Sequence, residues 1–360
     1  MSPRSSATAA STSPEAFLRA ARDDSVFSGA AWSVGTTTGP TFRGVLGTLA
    51  WDGEPVAEDT LWDLASVTKP VAALAAMALL ERGQLALSDP ISAYLPDYAG
   101  SDKADISLWH LLTHTSGIPG QQPLYRRHAD RGGMLTALRQ LPLRHPPGTE
   151  VAYSSPGFMI LGLVAEAVAG QSLDALVRET VTRPAAMSDT GFNPPAQDRA
   201  RAAATEDCSW RGQVVQGTVH DENAHALGGV AAHAGLFAPL GDVERLALAL
   251  LRDGAGESGP ILAPRTLDVM TRPATDHLNL RRCLGWQGTQ PAGAGVGDLF
   301  SPRAYGHTGF TGTSVWVDPD LGVYSVLLTN RVHPRRGSSA MARLRPKFHN
   351  LALTQLLRPR

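Results

Sequence analysis

The sequence predicts an α/β (α+β) fold, in which an antiparallel sheet is flanked by helices and interrupted by an inserted all-helical domain. Strand-like segments occur near the start of the chain, at 29–35 and 41–51, and near its end, at 312–317 and 323–329. The region from 88 to 207 instead contains short helical patterns joined by Pro- and Gly-rich loops. We therefore expect the two ends of the chain to share one sheet around a helical insertion.

The composition narrows the classes of function. The chain has 360 residues, 43% hydrophobic and 18% charged, as in a folded globular protein. A net charge of -1 gives no field that favours nucleic acid or an anionic membrane, so a small-molecule or short-peptide substrate is the expected partner. The longest apolar run, 70–80, is shorter than the roughly 20 residues of a membrane span. Residues 1–14 lack the apolar region of a secretory signal, which predicts a cytoplasmic location without a membrane anchor.

The elements are predicted in order from local patterns. An N-terminal tail rich in Ser, Thr and Ala precedes an amphipathic helix at 15–24, and a Gly-Pro turn separates the first two strands. A final helix is predicted at 338–357. The expected organisation is a disordered tail at 1–13, a sheet domain formed by 14–87 and 208–360, and an inserted helical domain at 88–207.

The apolar run at 71–80 predicts a helix in the middle of the fold. It is apolar on nearly every side, which is typical of a helix that is buried all round. Pro70 fits only in the first helical turn, where its missing N–H loses no partner. This helix is therefore predicted to begin near Val67 or Thr68.

The first candidate for chemistry is a Ser-x-x-Lys motif, formed by Ser66 and Lys69 at the start of that helix. A serine hydroxyl is a poor nucleophile until a base removes its proton, and a lysine one turn away can be that base. The helix N-terminus also provides positive potential where an oxyanion forms. The alternative is a helix cap followed by a surface lysine, but the chain has only three lysines, so chance matches are rare.

Two further motifs lie later in the chain. Tyr153, two residues before Ser155, precedes an apolar helix; a tyrosine there is usually a packing residue, but beside a lysine ammonium it can relay a proton. His307, Thr308 and Gly309 lead into a strand, where small residues allow close approach of a substrate and a strand N–H can donate to an oxyanion. The alternative for this third motif is a Gly-rich hairpin turn.

In this order and spacing the motifs resemble the signature of the serine β-lactamase and penicillin-binding-protein superfamily: Ser-x-x-Lys, then Tyr-x-Asn or Ser-x-Asn, then Lys-Thr-Gly. The resemblance covers 14–360, is closest to the class C branch, and implies a β-lactamase/transpeptidase-like fold that acts without metal or organic cofactor. The resemblance implies that Ser66 is the nucleophile and that Lys69 and Tyr153 are the coupled general base and acid. It also implies that the N–H groups of Ser66 and Phe310 form the oxyanion hole. It implies as substrate-binding residues Ser155, His307, Thr308 and Gly309.

Two positions depart from that signature. Ser155 stands where many relatives have Asn, and His307 replaces the lysine of Lys-Thr-Gly. Histidine titrates near neutrality, so we expect His307 to attract a substrate carboxylate less as pH rises. Efficient β-lactam hydrolysis is therefore not expected. Histidine at this position is similar to that of the family's D-aminopeptidases and of some esterases and peptidases.

The chain contains other polar patterns besides these motifs. His110 and His114 are spaced as in zinc proteases, but Leu111 stands where those enzymes have Glu, which favours a structural role in turning the chain at Gly117. The segment 219–237 is dense in polar side chains and glycines; it fits either a hydrogen-bonded network at the domain junction or a lining of the substrate cleft. Two cysteines, Cys208 and Cys283, are too few for a disulfide framework or a zinc cluster and leave a single bridge open.

The expected function is hydrolysis of an amide in a D-amino-acid or peptidoglycan-derived peptide through an acyl-enzyme at Ser66. The segment 219–237 resembles a branch with a D-alanine carboxypeptidase and a muropeptide amidase, and a D-aminopeptidase is the third type considered. The runner-up is a carboxylesterase on small acyl esters. A catalytically silent, penicillin-binding-like sensor or scaffold is the alternative of another class, and the joint presence of Ser66, Lys69 and Tyr153 argues against it. Substrate, acyl acceptor and oligomeric state stay open.

Overall fold

The structure is a computed structural model and describes residues 13–290 and 295–358. Its helices are α1 (Pro14–Asp23), α2 (Thr68–Glu81), α3 (Leu108–Leu112), α4 (Arg131–Gln140), α5 (Ser155–Ala169), α6 (Leu173–Val177), α7 (Glu222–Ala226), α8 (Leu240–Leu251), α9 (Pro264–Thr271) and α10 (Ala340–Leu356). Its strands are β1 (Gly29–Thr36), β2 (Gly39–Gly47), β3 (Trp62–Asp63), β4 (Gly191–Phe192), β5 (Asp207–Cys208), β6 (Gln213–Val214), β7 (Leu236–Ala238), β8 (Ala255–Gly256), β9 (Gly259–Pro260), β10 (Gln287–Gly288), β11 (Tyr305–Thr308), β12 (Ser314–Asp318) and β13 (Val323–Thr329). The predicted disordered tail, 1–13, lies outside the described residues except for Ser13, whose hydroxyl caps α1 by accepting from the Ala16 N–H.

Six antiparallel strands form the main sheet, in the order β10-β11-β12-β13-β1-β2. Its fourth and fifth strands join the two ends of the chain, because β1 pairs with β13 and Trp32 lies opposite Leu327. The predicted antiparallel sheet shared by both ends is thus confirmed. β2 ends at Gly47, before the predicted residue 51, where a left-handed φ of 81° takes the chain out of the extended conformation.

Helices cover both faces of this sheet. On β1, Ala30, Trp32 and Val34 point to the face covered by α1 and α10, whereas Ala31 points into the larger core that contains α2 and α8. This alternation follows from the two-residue period of a strand, and it leaves almost all of β1 buried. The sheet is therefore a layer between two helical layers.

The two most apolar helices, α2 and α5, lie in the core. Residues 68–79 of α2 are all buried, as its uniform hydrophobicity predicts, and Pro70 is its third residue. Among the residues that the structure describes, no single helix is long and apolar enough to cross a membrane. Within 13–290 and 295–358, one bent pair, α5 together with the helical segment 173–182, reaches that length and composition across a bend of 79°.

The region 88–207 contains α3 to α6 together with short turns, in agreement with its helical patterns. It is not entirely helical, because β4 pairs with β7, which also pairs with β3. These strands have only two or three residues, too few to show an alternating pattern in sequence. The domain boundaries at residues 88 and 207 stay a prediction. Cys208 and Cys283 are both buried and free, so they do not form the bridge that the sequence left open.

Candidate active site

Ser66 lies on a short 3-10 turn that leads directly into α2. The turn is constrained, because Ala65 has a left-handed φ of 47°, a conformation that non-glycine residues rarely adopt. The Ala65 N–H donates to Asp63 Oδ1 at 2.8 Å, and the Thr311 hydroxyl donates to the Asp63 carbonyl at 2.7 Å. The strained turn is therefore held both by its own chain and by the hairpin that follows β11.

Lys69 is fully buried on the first turn of α2. Its Nζ donates to Ser66 Oγ at 3.2 Å and to the main-chain carbonyl of His233 at 3.1 Å. The Tyr153 ring centroid lies 4.7 Å from Nζ and the Phe158 centroid 5.9 Å. The amine is thus fixed beside the serine hydroxyl, with no surface of the Lys69 side chain exposed to solvent.

Tyr153 precedes α5 and lies between cationic and imidazole groups. The Arg282 guanidinium lies 5.5 Å from its ring centroid, on a ring that Lys69 also contacts. The buried ring of His114 packs against Tyr153 with centroids 4.7 Å apart, and His114 Nδ1 accepts from the Ser154 N–H. Burial, and then the charges of Arg282 and Lys69, hold the pKa of His114 well below its usual range, so this ring packs as a neutral group.

His307 and Thr308 end β11, and Gly309 begins the turn to β12. Gly309 lies so close to the nucleophile segment that an added Cβ would lie 2.6 Å from the Leu64 carbonyl oxygen and 2.0 Å from Thr313 Oγ1. This close approach explains why glycine is required there. The motif is therefore a strand end and a tight turn held against the turn that carries Ser66.

The structure changes the expectation for His307. The side chain is 1% exposed, and burial, followed by the positive charges of Lys69 and Arg282, holds its pKa well below the usual range. Its Nδ1 lies 2.8 Å from the Thr308 carbonyl oxygen, which only accepts hydrogen bonds, so Nδ1 carries the proton of the neutral ring. His307 therefore presents Nε2 as an acceptor, and the predicted titration near neutral pH is wrong.

These segments surround a cleft of about 280 Å³. The predicted residues Ser66, Tyr153, Ser155, His307, Thr308, Gly309 and Phe310 all line it, and Lys69 lies buried behind Ser66. His220, Asp221 and Glu222 line it as well, and the His220 N–H donates to Asp63 Oδ2 at 2.7 Å. The segment 219–237 therefore fits both interpretations drawn from the sequence, as a cleft lining and as a hydrogen-bonded network.

Arginines contribute four of the residues that line the cleft: Arg282, Arg331, Arg336 and Arg345. Arg331 and Arg345 donate to main-chain carbonyls of the β11–β12 turn, and Arg336 forms ion pairs with two glutamates. Arg282 is 7% exposed, and its buried Nε and Nη1 have no hydrogen-bond partner in the described part of the chain. Arg345 Nε also lacks a partner there, but Arg345 Nη2 donates to two main-chain carbonyls. An unpaired buried cation is costly, so Arg282 is well suited to receive an anion.

Sequence reasoning missed Arg282, His114 and the His233 carbonyl as parts of this site. Arg282 stands in no sequence motif, and its missing hydrogen-bond partners beside the cleft are visible only in the structure. His114 was noted for its spacing from His110, but His110 turns away and closes a capping box with Ser107. No group of three or more His, Cys, Asp or Glu side chains within residues 13–290 and 295–358 has a geometry that would hold a metal ion.

The comparisons with known proteins agree with this geometry. The family model described as Beta-lactamase matches residues 15–347. The chain belongs to the Beta-lactamase family. Its fold is that of β-lactamases and transpeptidases, and it is a serine hydrolase, as the motifs predict.

Relatives of this Beta-lactamase family member differ in their stated activities. The chain is 33% identical to a putative D-alanyl-D-alanine carboxypeptidase of Escherichia coli K12, over 76% of this chain and 70% of the relative. It is 32% identical to an N-acetylmuramyl-L-alanine amidase of Bacillus subtilis 168, over 76% and 68%. Its fold matches the hydrolase EstCE1, which has promiscuous acyltransferase activity, with a TM-score of 0.77 at 23% identity, covering 94% of this chain and 97% of that one. A family VIII carboxylesterase matches with a TM-score of 0.76 at 21% identity, over 95% and 96%.

Proposed function

We propose that the protein hydrolyses an amide in a D-amino-acid or peptidoglycan-derived peptide that carries a carboxylate near the bond to be cleaved. Ser66 is the nucleophile, Lys69 and Tyr153 handle protons, and the N–H groups of Ser66 and Phe310 bind the oxyanion. Ser155, Thr308 and Gly309 line the substrate path. Two relatives whose names refer to cell-wall peptides support this substrate class.

The proposed acylation uses contacts that are present in the structure. The step requires Lys69 as the free amine, although it is a cation in the resting site; Nζ then takes the Ser66 proton across the 3.2 Å contact as Oγ attacks the amide carbon. The carbonyl oxygen gains negative charge, which the two N–H groups stabilise. Tyr153, next to Lys69, passes a proton to the leaving amine as the C–N bond breaks. Water then adds to the acyl carbon and gives a proton to the Tyr153 oxygen. The bond between Ser66 Oγ and the acyl carbon breaks as Lys69 returns its proton to Oγ, which releases the acid and restores both residues.

The observation that carries the choice of substrate is Arg282. Its guanidinium faces the same cleft as Ser66, and its Nε and Nη1 lack partners among the described residues. A substrate carboxylate would compensate this buried charge, whereas a neutral ester would not. Arg282 thus takes the role that the sequence suggested for His307. Hydrolysis of small neutral esters is the second candidate function, supported by the fold match to a carboxylesterase.

The test compares one peptide in two forms: an N-acylated peptide ending in D-Ala-D-Ala, and the same peptide with its terminal carboxylate converted to an amide. We expect the wild type to prefer the acid. In Arg282→Gln, kcat/KM for the acid should fall by about 10- to 100-fold, the loss expected for a hydrogen bond between charged groups, and the neutral form should change much less. Arg281→Gln is the matched control, because Arg281 is the adjacent arginine and pairs with Asp276 instead.

Three results would count against this proposal. Equal losses on both peptide forms in Arg282→Gln would assign Arg282 to the chemistry rather than to recognition of charge. Turnover of unactivated alkyl esters by the wild type, with no turnover of either peptide, would favour the carboxylesterase. Absence of any covalent adduct at Ser66 after exposure to a fluorophosphonate, followed by intact-protein mass spectrometry, would remove the acyl-serine mechanism itself.

A further inference from the structure

The position of the Lys69 amine depends on a segment far from it in the chain. Of the two acceptors that hold Nζ, Ser66 Oγ lies on the same helical turn, but the His233 carbonyl comes from the loop that leads into β7. A lysine side chain has four rotatable bonds, so one hydrogen bond to Ser66 does not fix it. The second contact, 3.1 Å long, restricts the amine to one side of the serine hydroxyl.

The side chain of His233 is itself held by Asp221. It is 1% exposed, and its Nε2 lies 2.9 Å from Asp221 Oδ1. The same oxygen accepts from the Ala224 N–H at 2.8 Å and so caps α7. Burial alone would raise the pKa of Asp221, but the charge of His233, these hydrogen bonds and the charge of Lys69 together lower it, so the carboxylate is ionised.

The same segment is also attached to the nucleophile turn. His220, next to Asp221, donates its N–H to Asp63 Oδ2 at 2.7 Å, and Asp63 Oδ1 accepts from the Ala65 N–H. One end of the loop between Asp221 and His233 is thus tied to the turn that carries Ser66, and the other end holds Lys69. The contacts close a ring that sets the distance between nucleophile and base.

We propose that Asp221 and His233 are a positioning pair for Lys69. By fixing the imidazole, Asp221 holds the His233 carbonyl on Nζ, and this keeps the amine within reach of the Ser66 proton. The inference rests on the proposed role of Lys69 as the base. Both residues act through Lys69 rather than on the reacting atoms, so their loss should slow acylation without weakening the binding of a ligand in the cleft.

The test measures acylation of the full-length protein by a fluorophosphonate, which needs no knowledge of the natural substrate. Saturation kinetics separate the maximal labelling rate at Ser66 from the probe's affinity. In His233→Ala the rate should fall by about 100-fold, the order expected for a displacement near 1 Å, with affinity within about threefold. In His233→Gln the amide N–H can still reach Asp221, so we expect recovery to within about tenfold of wild type. His225→Ala, an exposed histidine on α7, is the matched control and should be unchanged.

A pH profile distinguishes positioning from direct proton transfer. The titratable groups near Lys69 and His233 are Tyr153, His307, His114 and Asp221. Because glutamine does not titrate, the labelling profile of His233→Gln should keep the wild-type shape if Lys69 remains the proton acceptor. A lost or displaced limb would show that His233 handles a proton and would overturn the positioning role. Labelling of His233→Ala within threefold of wild type would overturn it as well.

Two further variants keep the outcome interpretable. If His233→Ala does not fold, as judged by circular dichroism, Asp221→Asn replaces it, because asparagine keeps an oxygen for the α7 cap and removes the charge that fixes the imidazole. A slower rate at unchanged affinity then supports the pair, and an unchanged rate overturns it. Lys69→Arg tests the premise: fast labelling there means that the proposed base is wrong, whereas slow labelling of Lys69→Arg with normal labelling of His233→Ala defeats only the positioning pair.

Discussion

Ser66 and Lys69 lie on one turn of the chain, whereas the groups that face them across the cleft come from segments that are far apart in sequence. The first pair is brought together by a helix start and a buried helix behind it. The opposite wall is assembled from Tyr153 before α5, His307 on β11 and Arg282 before β10. Local geometry therefore brings nucleophile and base onto one turn, whereas tertiary packing holds the Lys69 amine in place and sets the charge that a substrate meets.

The largest expected effect lies on the local side of this comparison. Ser66→Ala should abolish amide and ester turnover, and Lys69→Arg should lower kcat by at least about 1000-fold, because a guanidinium does not release its proton at working pH. Turnover of a p-nitrophenyl ester and the melting temperature are the measurements. Lys347→Arg, an exposed lysine on α10, is the matched control. Lys69→Arg activity within tenfold of wild type would show that the base lies elsewhere and that the local pair does not define the chemistry.

Much of the segment that carries Ser66 and Lys69 could be predicted from the sequence. Pro70 locates the start of α2, and the run behind it predicts a helix buried on all sides. For the opposite wall of the cleft, the sequence predicts which motifs contribute but not the charge of their residues, because that charge depends on neighbours from distant segments. His307 illustrates this: its ordinary pKa predicts a change of charge near neutrality, but burial, followed by the positive charges of Lys69 and Arg282, lowers its pKa and keeps the ring neutral. β10 and β4 were missed because two residues do not form a pattern.

The second prediction sharpens the comparison at His307. Because the folded protein keeps this ring neutral, kcat/KM for an anionic and a neutral substrate should follow parallel profiles from roughly pH 5.5 to 9, a range that brackets an ordinary histidine titration. His307→Asn should retain a donor for the Thr308 carbonyl and lose no more than about tenfold in kcat/KM, the order of one net hydrogen bond.

One pattern of pH dependence would contradict the neutral state of His307. If the anionic substrate alone loses kcat/KM as pH rises in the wild type, and this dependence vanishes in His307→Asn, then His307 titrates and attracts the carboxylate. His307 rather than Arg282 would then recognise the substrate carboxylate, and this property of the cleft wall opposite Ser66 would be predictable from the sequence. Introducing Arg282→Gln into the same comparison separates the two residues, because only a residue that carries positive charge at the measured pH contributes to the preference.

The smallest expected effect is on the pH dependence of stability, and it comes from His349, a buried histidine outside the cleft. It tests whether buried neutral imidazole rings also occur away from the cleft. His349 lies on α10, away from the cleft lining, with Nδ1 2.8 Å from Ser325 Oγ and Nε2 3.3 Å from Ser314 Oγ, and burial lowers its pKa to about 3. Below pH 6.5 the unfolded chain binds a proton at this histidine and the folded chain does not, so its contribution to stability is lost as pH falls. Each such histidine contributes a slope of up to about 1.4 kcal/mol per pH unit in the free energy of unfolding.

Urea denaturation between roughly pH 4 and 7 measures this slope. As pH falls, the free energy of unfolding should therefore decline less steeply in His349→Gln than in the wild type, and the exposed His277→Gln should match the wild type. Equal slopes in wild type and His349→Gln would mean that His349 is protonated in the folded protein, and the same doubt would then extend to the neutral ring of His307.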